Sequence, residues 1–158
     1  MSLKIREAVS GDAPVVLQFI RRLAEYEKLL QDVVATEDSI SEVLFGPNPR
    51  AFCDIAEWDG VPVGFAVWFY NFSTFHGRLG IYLEDLFVDP AHRGKGIGKA
   101  LLKNLARRCV DEGLTRLQWW VLNWNTSSVE FYKSVGAGAM DEWTVFRVSG
   151  PELAALAQ

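Results

Sequence analysis

Apolar and polar positions alternate along this chain in blocks whose period changes from element to element. Leu3 to Ala8 reads as a first strand. Val15, Val16, Phe19, Ile20 and Leu23 then recur at helical spacing, so a helix runs to about Tyr26, with Ser10-Gly11-Asp12 as its capping residues. Thr36, Glu37 and Asp38 open a second helix through Phe45, stopped by Gly46. Ala51 to Trp58 and Val61 to Tyr70 are strands joined through Asp59-Gly60, a hairpin signal. Asn71 to Gly80 reads as a polar connector, and Ile81 to Val88 as a strand ended by Asp89-Pro90, because proline has no N–H to give a ladder.

Ile97, Leu101 and Leu105, with Leu102, Ala106 and Cys109 alongside, form the apolar stripe of a third helix that Glu112-Gly113 ends. Leu117 to Leu122 is another strand. Ser127 and Glu130, three apart, predict a capping box for a short helix from Ser128 to Val135, closed by Gly136. Trp143 to Val148 predicts a last strand, and Pro151 opens a terminal helical turn. The order β-α-α-β-β-β-α-β-α-β describes one mixed, mostly antiparallel α/β sheet with helices on both faces. With 158 residues and no repeat or linker-like stretch, one domain over 1–158 is expected.

Composition narrows the classes of function. The net charge is −4 with no long basic run, which argues against a nucleic-acid footprint and suits a cationic small molecule. Cys53 and Cys109 are isolated and read as small buried apolar residues. His76 and His92 are the only histidines and both fall in predicted loops, so no metal centre is expected. No signal-peptide core or membrane-length apolar run is present, which leaves the cytoplasm as the expected location.

The chemistry concentrates in Arg93-Gly94-Lys95-Gly96-Ile97-Gly98-Lys99, between the Ile81–Val88 strand and the third helix. Glycines at a helix start let backbone N–H groups approach a ligand with no Cβ in the way, and the positive end of the helix dipole favours a phosphate. Lys95 precedes its glycine and no Ser or Thr follows, so this is not a P-loop. A dinucleotide fingerprint fails as well, because Leu101 or Lys99 would stand at its last small position. The spacing that fits is Arg-x-x-Gly-x-Gly, as Arg93, Gly96 and Gly98.

That motif resembles the pyrophosphate-binding loop of the GNAT acyl-CoA N-acyltransferases, and the element order is theirs over nearly the whole chain. Leu23 to Lys28, Tyr82-Leu83-Glu84-Asp85, Trp124-Asn125 and Phe131-Tyr132-Lys133 resemble the diamine (spermidine/spermine) acetyltransferases and their thialysine-acetylating relatives. Ser73-Thr74 with Gly77-Arg78 is closer to the thialysine branch. The chain departs from the spermidine type at Ser73-Thr74-Phe75, where that type has Asp-Pro-Trp, and at Asn125-Thr126-Ser127, where it has Asn-Glu-Pro.

The resemblance implies acetyl-CoA as co-substrate, a small cationic amine as acceptor, a homodimer, and central strands that splay to admit the pantetheine arm. Carried over residue by residue, it implies that Leu86, Phe87, Val88, Arg93, Gly94, Lys95, Gly96, Ile97, Gly98, Lys99, Asn125, Ser127, Ser128 and Tyr132 hold the cofactor. The amide N–H of Val88 or a neighbour is the candidate oxyanion donor. Tyr132 is the candidate general acid, since a phenol of pKa about 10 stays protonated and can donate to a departing thiolate. Glu84 is the candidate base for a substrate ammonium. Strand alternation turns its neighbour Asp85 to the other face, so only one of the two is expected to act directly.

Tyr26, Glu27, Glu84, Trp120 and Glu142 are the candidate substrate contacts, carboxylates and aromatic faces both suiting a cation. Trp58, Trp68, Trp119 and Trp143 are assigned to the core. Three other readings stay open: an acetyltransferase acting on a protein or peptide amine, an acyl-CoA-binding regulatory module without catalysis, and a structural domain whose loop binds nothing.

Overall fold

A computed structural model describes residues 2–158, which form two compact units, one ending at Leu122 and the other spanning Asn123–Gln158. The first unit contains β1 (Leu3–Glu7), α1 (Ala13–Tyr26), α2 (Glu37–Phe45), β2 (Phe52–Trp58), β3 (Val61–Ser73), β4 (Arg78–Val88), α3 (Ile97–Glu112) and β5 (Leu117–Gln118). The second contains α4 (Thr126–Ser134) and α5 (Gly150–Leu156).

The sheet has strand order β1-β2-β3-β4-β5, antiparallel except for the parallel β4–β5 pair. At the β2–β3 turn Asp59 (φ 51°) and Gly60 (φ 82°) both lie in the left-handed region, the geometry a two-residue hairpin of type I′ requires. The β3–β4 hairpin is longer than the apolar pattern indicated. Its ladder runs out to Ser73↔Arg78, so most of the predicted polar connector is strand. Polar side chains there do not oppose pairing, because backbone groups make the ladder.

Helices cover both faces. On one, Val16, Leu17 and Phe19 of α1 and Ile40 of α2 pack with Cys53, Ile55, Phe65 and Phe87. The Phe19 ring lies 5.3 Å from Phe65 and 5.8 Å from Phe87. On the other face α3 buries Ile97, Leu101, Leu105 and Cys109. Gly64 lets β3 and β4 approach closely, since a Cβ there would sit 2.7 Å from the Phe87 carbonyl oxygen.

Several predicted details are corrected. Ser10-Gly11-Asp12 is a 3-10 turn, and the Asp12 carboxylate accepts from Val9 N–H and Arg6 instead of capping α1. Asn125, not Ser127, is the residue that caps α4. The strand predicted at Leu117–Leu122 is paired only at Leu117 and Gln118. Trp143 to Val148 forms no strand, and Trp143 and Phe146 are 75% and 90% exposed, so Trp143 is not a core residue. β-branched and aromatic residues suit a pleated surface, but a strand also needs a neighbouring edge to pair with.

Candidate active site

Pairing between β4 and β5 stops at Tyr82↔Gln118, whereas β4 continues to Val88. The central strands therefore separate, and the β5-side edge of β4 beyond Tyr82 has no strand partner among the described residues. Asp89 N–H turns toward β3, 2.7 Å from Val63 O. Backbone groups alternate along a strand, so Val88 N–H and Leu86 N–H point to the open edge. Arg93 Nε donates to Val88 O at 3.2 Å, and the Arg93 guanidinium lies 4.9 Å from the Tyr26 ring centre. These contacts tie the start of the glycine loop to the end of β4 and to the end of α1.

The loop is exposed up to the buried Ile97. Gly94 and Gly96 both have φ 78°, and a Cβ on either would meet nothing within 4 Å. Only glycine adopts this conformation readily, and the space above both is open. α3 has no side-chain N-cap, so its first-turn N–H groups lack an internal partner and face a site suited to an anion. Lys95 Nζ sits 4.9 Å from the Trp58 ring centre, which holds a second positive charge beside the loop. These residues fit a pyrophosphate.

A β-bulge lies at the middle of β4. Val67 pairs with Asp85 and Trp68 with Leu83, leaving Glu84 as the extra residue. Simple alternation therefore does not govern how Glu84 and Asp85 are directed. Glu84 is exposed and Asp85 half-buried. Burial pushes the Asp85 carboxyl up to about 7, reinforced by the charges of Glu84 and Glu27. Burial also raises Glu27, which ends α1 as its C-cap residue. Three carboxylates thus share one region. The sequence signal was two adjacent acids inside an apolar strand; the burial of Asp85 was not legible. Trp120, exposed, meets Tyr82 edge-on at 5.7 Å where the strands part.

In the second unit, Asn125 is buried and its Oδ1 accepts from Ser128 N–H and from Ser127 Oγ, each at 3.4 Å. Tyr132 is half-buried on α4, its ring 5.5 Å from Phe131. Glu142 is exposed in the irregular stretch after α4.

A glycine-rich helix start suited to an anion thus follows the open edge of the strand that carries Glu84 and Asp85. The profile of the acetyltransferase (GNAT) family matches residues 17–137, and the chain belongs to that family. It is an N-acetyltransferase. It is 39% identical to the thialysine N-epsilon-acetyltransferase of Sus scrofa, covering 99% of this chain and 98% of that protein. It is 27% identical to the L-ornithine N5-acetyltransferase NATA1 of Arabidopsis thaliana, over 99% of this chain and 88% of that one. Among solved structures, an integron cassette protein from the mobile metagenome of V. cholerae superposes with a TM-score of 0.82 at 30% identity, covering 100% of this chain and 99% of the other.

Proposed function

We propose that the protein transfers the acetyl group of acetyl-CoA to a primary amine of a small cationic compound, a diamine, a polyamine or a lysine analogue such as thialysine. Bound acetyl-CoA supplies an activated acetyl thioester. The observation that carries the reading is the Asp85 carboxyl, raised to about 7 within an acidic cluster on the strand whose end leads into the glycine loop. An alkylammonium has a pKa near 10.4 and must lose a proton before it can attack. A base poised near neutrality is suited to take it.

In this mechanism Arg93, Lys95 and the backbone from Gly94 to Lys99 bind the pyrophosphate. Leu86, Phe87 and Val88 pair through main-chain groups with the amide-bearing arm, as an added strand pairs with an edge. Val88 N–H stabilises the negative charge that builds on the acyl oxygen. Glu84 and Glu27 attract the ammonium, Tyr26 and Trp120 offer ring faces to it, and Asp85 takes its proton, directly or through Glu84; Glu142 is a substrate contact by resemblance alone. The resemblance assigns Asn125, Ser127 and Ser128 to the cofactor and makes Tyr132 the acid that protonates the departing thiolate.

The relatives named for thialysine and ornithine support this substrate class. Since the family match runs across the boundary at Leu122, both units are read as one acetyltransferase domain over 1–158. No helix of the described residues is long and apolar enough to cross a membrane. We propose a homodimer, as the resemblance implies, acting in the cytoplasm, the location expected from the sequence; sedimentation of the purified protein tests the dimer.

The test of function is release of free CoA from acetyl-CoA with a panel of amines: thialysine, ornithine, spermidine, and a lysine-bearing peptide. Turnover with the small cations and not the peptide is expected. Turnover with the peptide alone overturns the substrate class, and tight acetyl-CoA binding without turnover makes the protein a binding module.

A further inference from the structure

A cavity of about 260 Å³ lies where β1 ends and β2 begins. β2 runs from Phe52 in the cavity wall to Trp58, whose ring faces Lys95 of the glycine loop. The cavity and the loop are therefore separated by about 20 Å, the length of a seven-residue strand at ~3.3 Å per residue.

At the cavity wall stands Asp54, only 2% exposed. Its Oδ2 accepts from Trp68 Nε1 at 3.0 Å and from Asn104 Nδ2 at 3.3 Å. Its Oδ1 accepts from no described residue. That oxygen is not among the atoms sealed without a partner, so it is open to a ligand in the cavity.

The other polar groups of the wall are acceptors too. Tyr70 Oη donates its proton to Glu112 Oε1 at 2.7 Å, which leaves the phenol oxygen only lone pairs to offer. Glu7 Oε1 accepts from Arg108 Nη2 at 3.2 Å, leaving its second oxygen at the mouth. The one cation in the wall, Arg108, is forked between Glu7 and Glu112 and stacked 4.9 Å from the Trp68 ring centre. Its Nε has no partner but is sealed from solvent. The rest of the wall is apolar and aromatic, and the volume lies below that of a drug-sized pocket. The cavity thus offers several acceptors and aromatic surface, and its one cation is already engaged by Glu7 and Glu112.

We propose that this cavity is a second, non-catalytic binding site for a small organic ammonium ion with a short apolar or aromatic body. The ammonium donates to Asp54 Oδ1 and is attracted by Glu7 at the mouth, while the body lies against Phe52 and Tyr70. The site does not depend on the reaction proposed above.

The indole N–H resonance of Trp68, identified by its loss in Trp68→Phe, reports on the cavity because that N–H is bonded to Asp54. Titration of the full chain with 2-phenylethylammonium should shift it saturably. The neutral 2-phenylethanol should bind about tenfold or more weakly, the cost of a lost charge-assisted hydrogen bond, and 3-phenylpropionate should not bind. Asp54→Asn should weaken the ammonium by about tenfold or more while acetyl transfer is unchanged. Should Asp54→Asn fail to fold, Glu7→Gln should still weaken it roughly two- to fivefold.

The proposal is overturned if the Trp68 resonance does not move up to the solubility limit of the amine, if the alcohol binds as well, or if the carboxylate binds better. It is also overturned if the folded carboxylate variant keeps full affinity. Asp85→Asn should leave the titration intact; loss of the shift there would place the amine in the catalytic pocket instead. Persistence of the shift in a protein that turns over no amine would remove the catalytic reading and leave this one standing.

Discussion

The two ends of α1 carry opposite electrostatic arrangements. At its start Asp12 is clamped by Arg6, through Nη1 to Oδ2 at 2.8 Å and Nη2 to Oδ1 at 3.0 Å, and Arg6 Nε reaches Glu57 Oε1 at 2.9 Å. An acid there also faces the positive end of the helix dipole. The Arg6 bonds hold the Asp12 carboxyl below the usual carboxylate range. At its end the helix is closed by Glu27, an acid at the negative end of the dipole, and Glu27 adds its charge to the region of Asp85 and Glu84. Lys28, the next residue, has φ 62°, a left-handed conformation that non-glycine residues adopt at some cost. One end is arranged for stability. The other buries a carboxyl beside like charges, which costs stability and raises it into the range where it can accept and release a proton.

The two carboxyls make opposite contributions as pH changes. Asp12, depressed on folding, stabilises the fold above the ordinary carboxylate pKa, and that contribution is lost as pH falls through its folded value. Asp85, raised on folding, makes the folded state bind the extra proton between about 4 and 7, so stability falls as pH rises across that window.

The largest expected effect comes from a residue outside α1 and serves as a control. Tyr132→Phe should lower kcat roughly 10²- to 10⁴-fold, the worth of a positioned acid, and leave acetyl-CoA affinity within a few-fold. The pKa near 7 in the kcat/KM profile should remain, because it belongs to the other partner in proton transfer. Near wild-type kcat, under conditions where chemistry limits turnover, would make the tyrosine a packing residue.

Asp85→Asn should lower kcat/KM by about 10²-fold or more near neutral pH. The change of profile is more telling than the loss. With the base present, kcat/KM should rise tenfold per pH unit below 7 and level off above it, since the ammonium remains the dominant substrate form. Without it, the reaction needs free amine from solution and the rise should continue toward pH ~10. If Glu84→Gln produces that change and Asp85→Asn does not, the base is Glu84.

Glu27→Lys should bring the two ends of α1 closer in character. Removing one like charge and placing a cation at the helix end should lower the apparent pKa of Asp85 by about one unit and raise KM for the amine. A titration midpoint that stays at 7 would show that burial and Glu84 set it without Glu27.

Asp12→Ala should act on stability only, costing about 2–3 kcal/mol by leaving Arg6 partly unpaired. Denaturant unfolding measures this, and the deficit should shrink at acid pH, where wild-type Asp12 is itself protonated. A shift of the kcat/KM midpoint in this variant would mean that the two ends of the helix are coupled.

The alternating Asp85 and Phe87 on the α1 face show why some of this was legible and some was not. Local signals depend on a few neighbouring residues. The Asp59-Gly60 turn, the Thr36 cap with Ser39 N–H bonded to Thr36 Oγ1, the order of the first eight elements, and the glycine loop before Ile97 all follow from such signals. The family could be read from the loop for the same reason: Arg93, Gly96 and Gly98 answer a backbone requirement that spacing alone records.

What tertiary structure decided depends on neighbours distant in sequence. The bulge at Glu84 exists only in the register of β4 against β3, and that register sets where Asp85 stands. The proton affinity of Asp85 is a property of its burial and of Glu27, 58 positions away in the chain. Asp54 reads in sequence as a break in an apolar strand, and becomes a buried acceptor at a cavity wall only when α3 brings Asn104 and Arg108 to β2 and β3. Trp143 to Val148 has the side chains of a strand and forms none. Local sequence sets backbone preference and chemical kind, whereas burial, register and the pairing of charges are fixed by which distant surfaces the fold brings into contact.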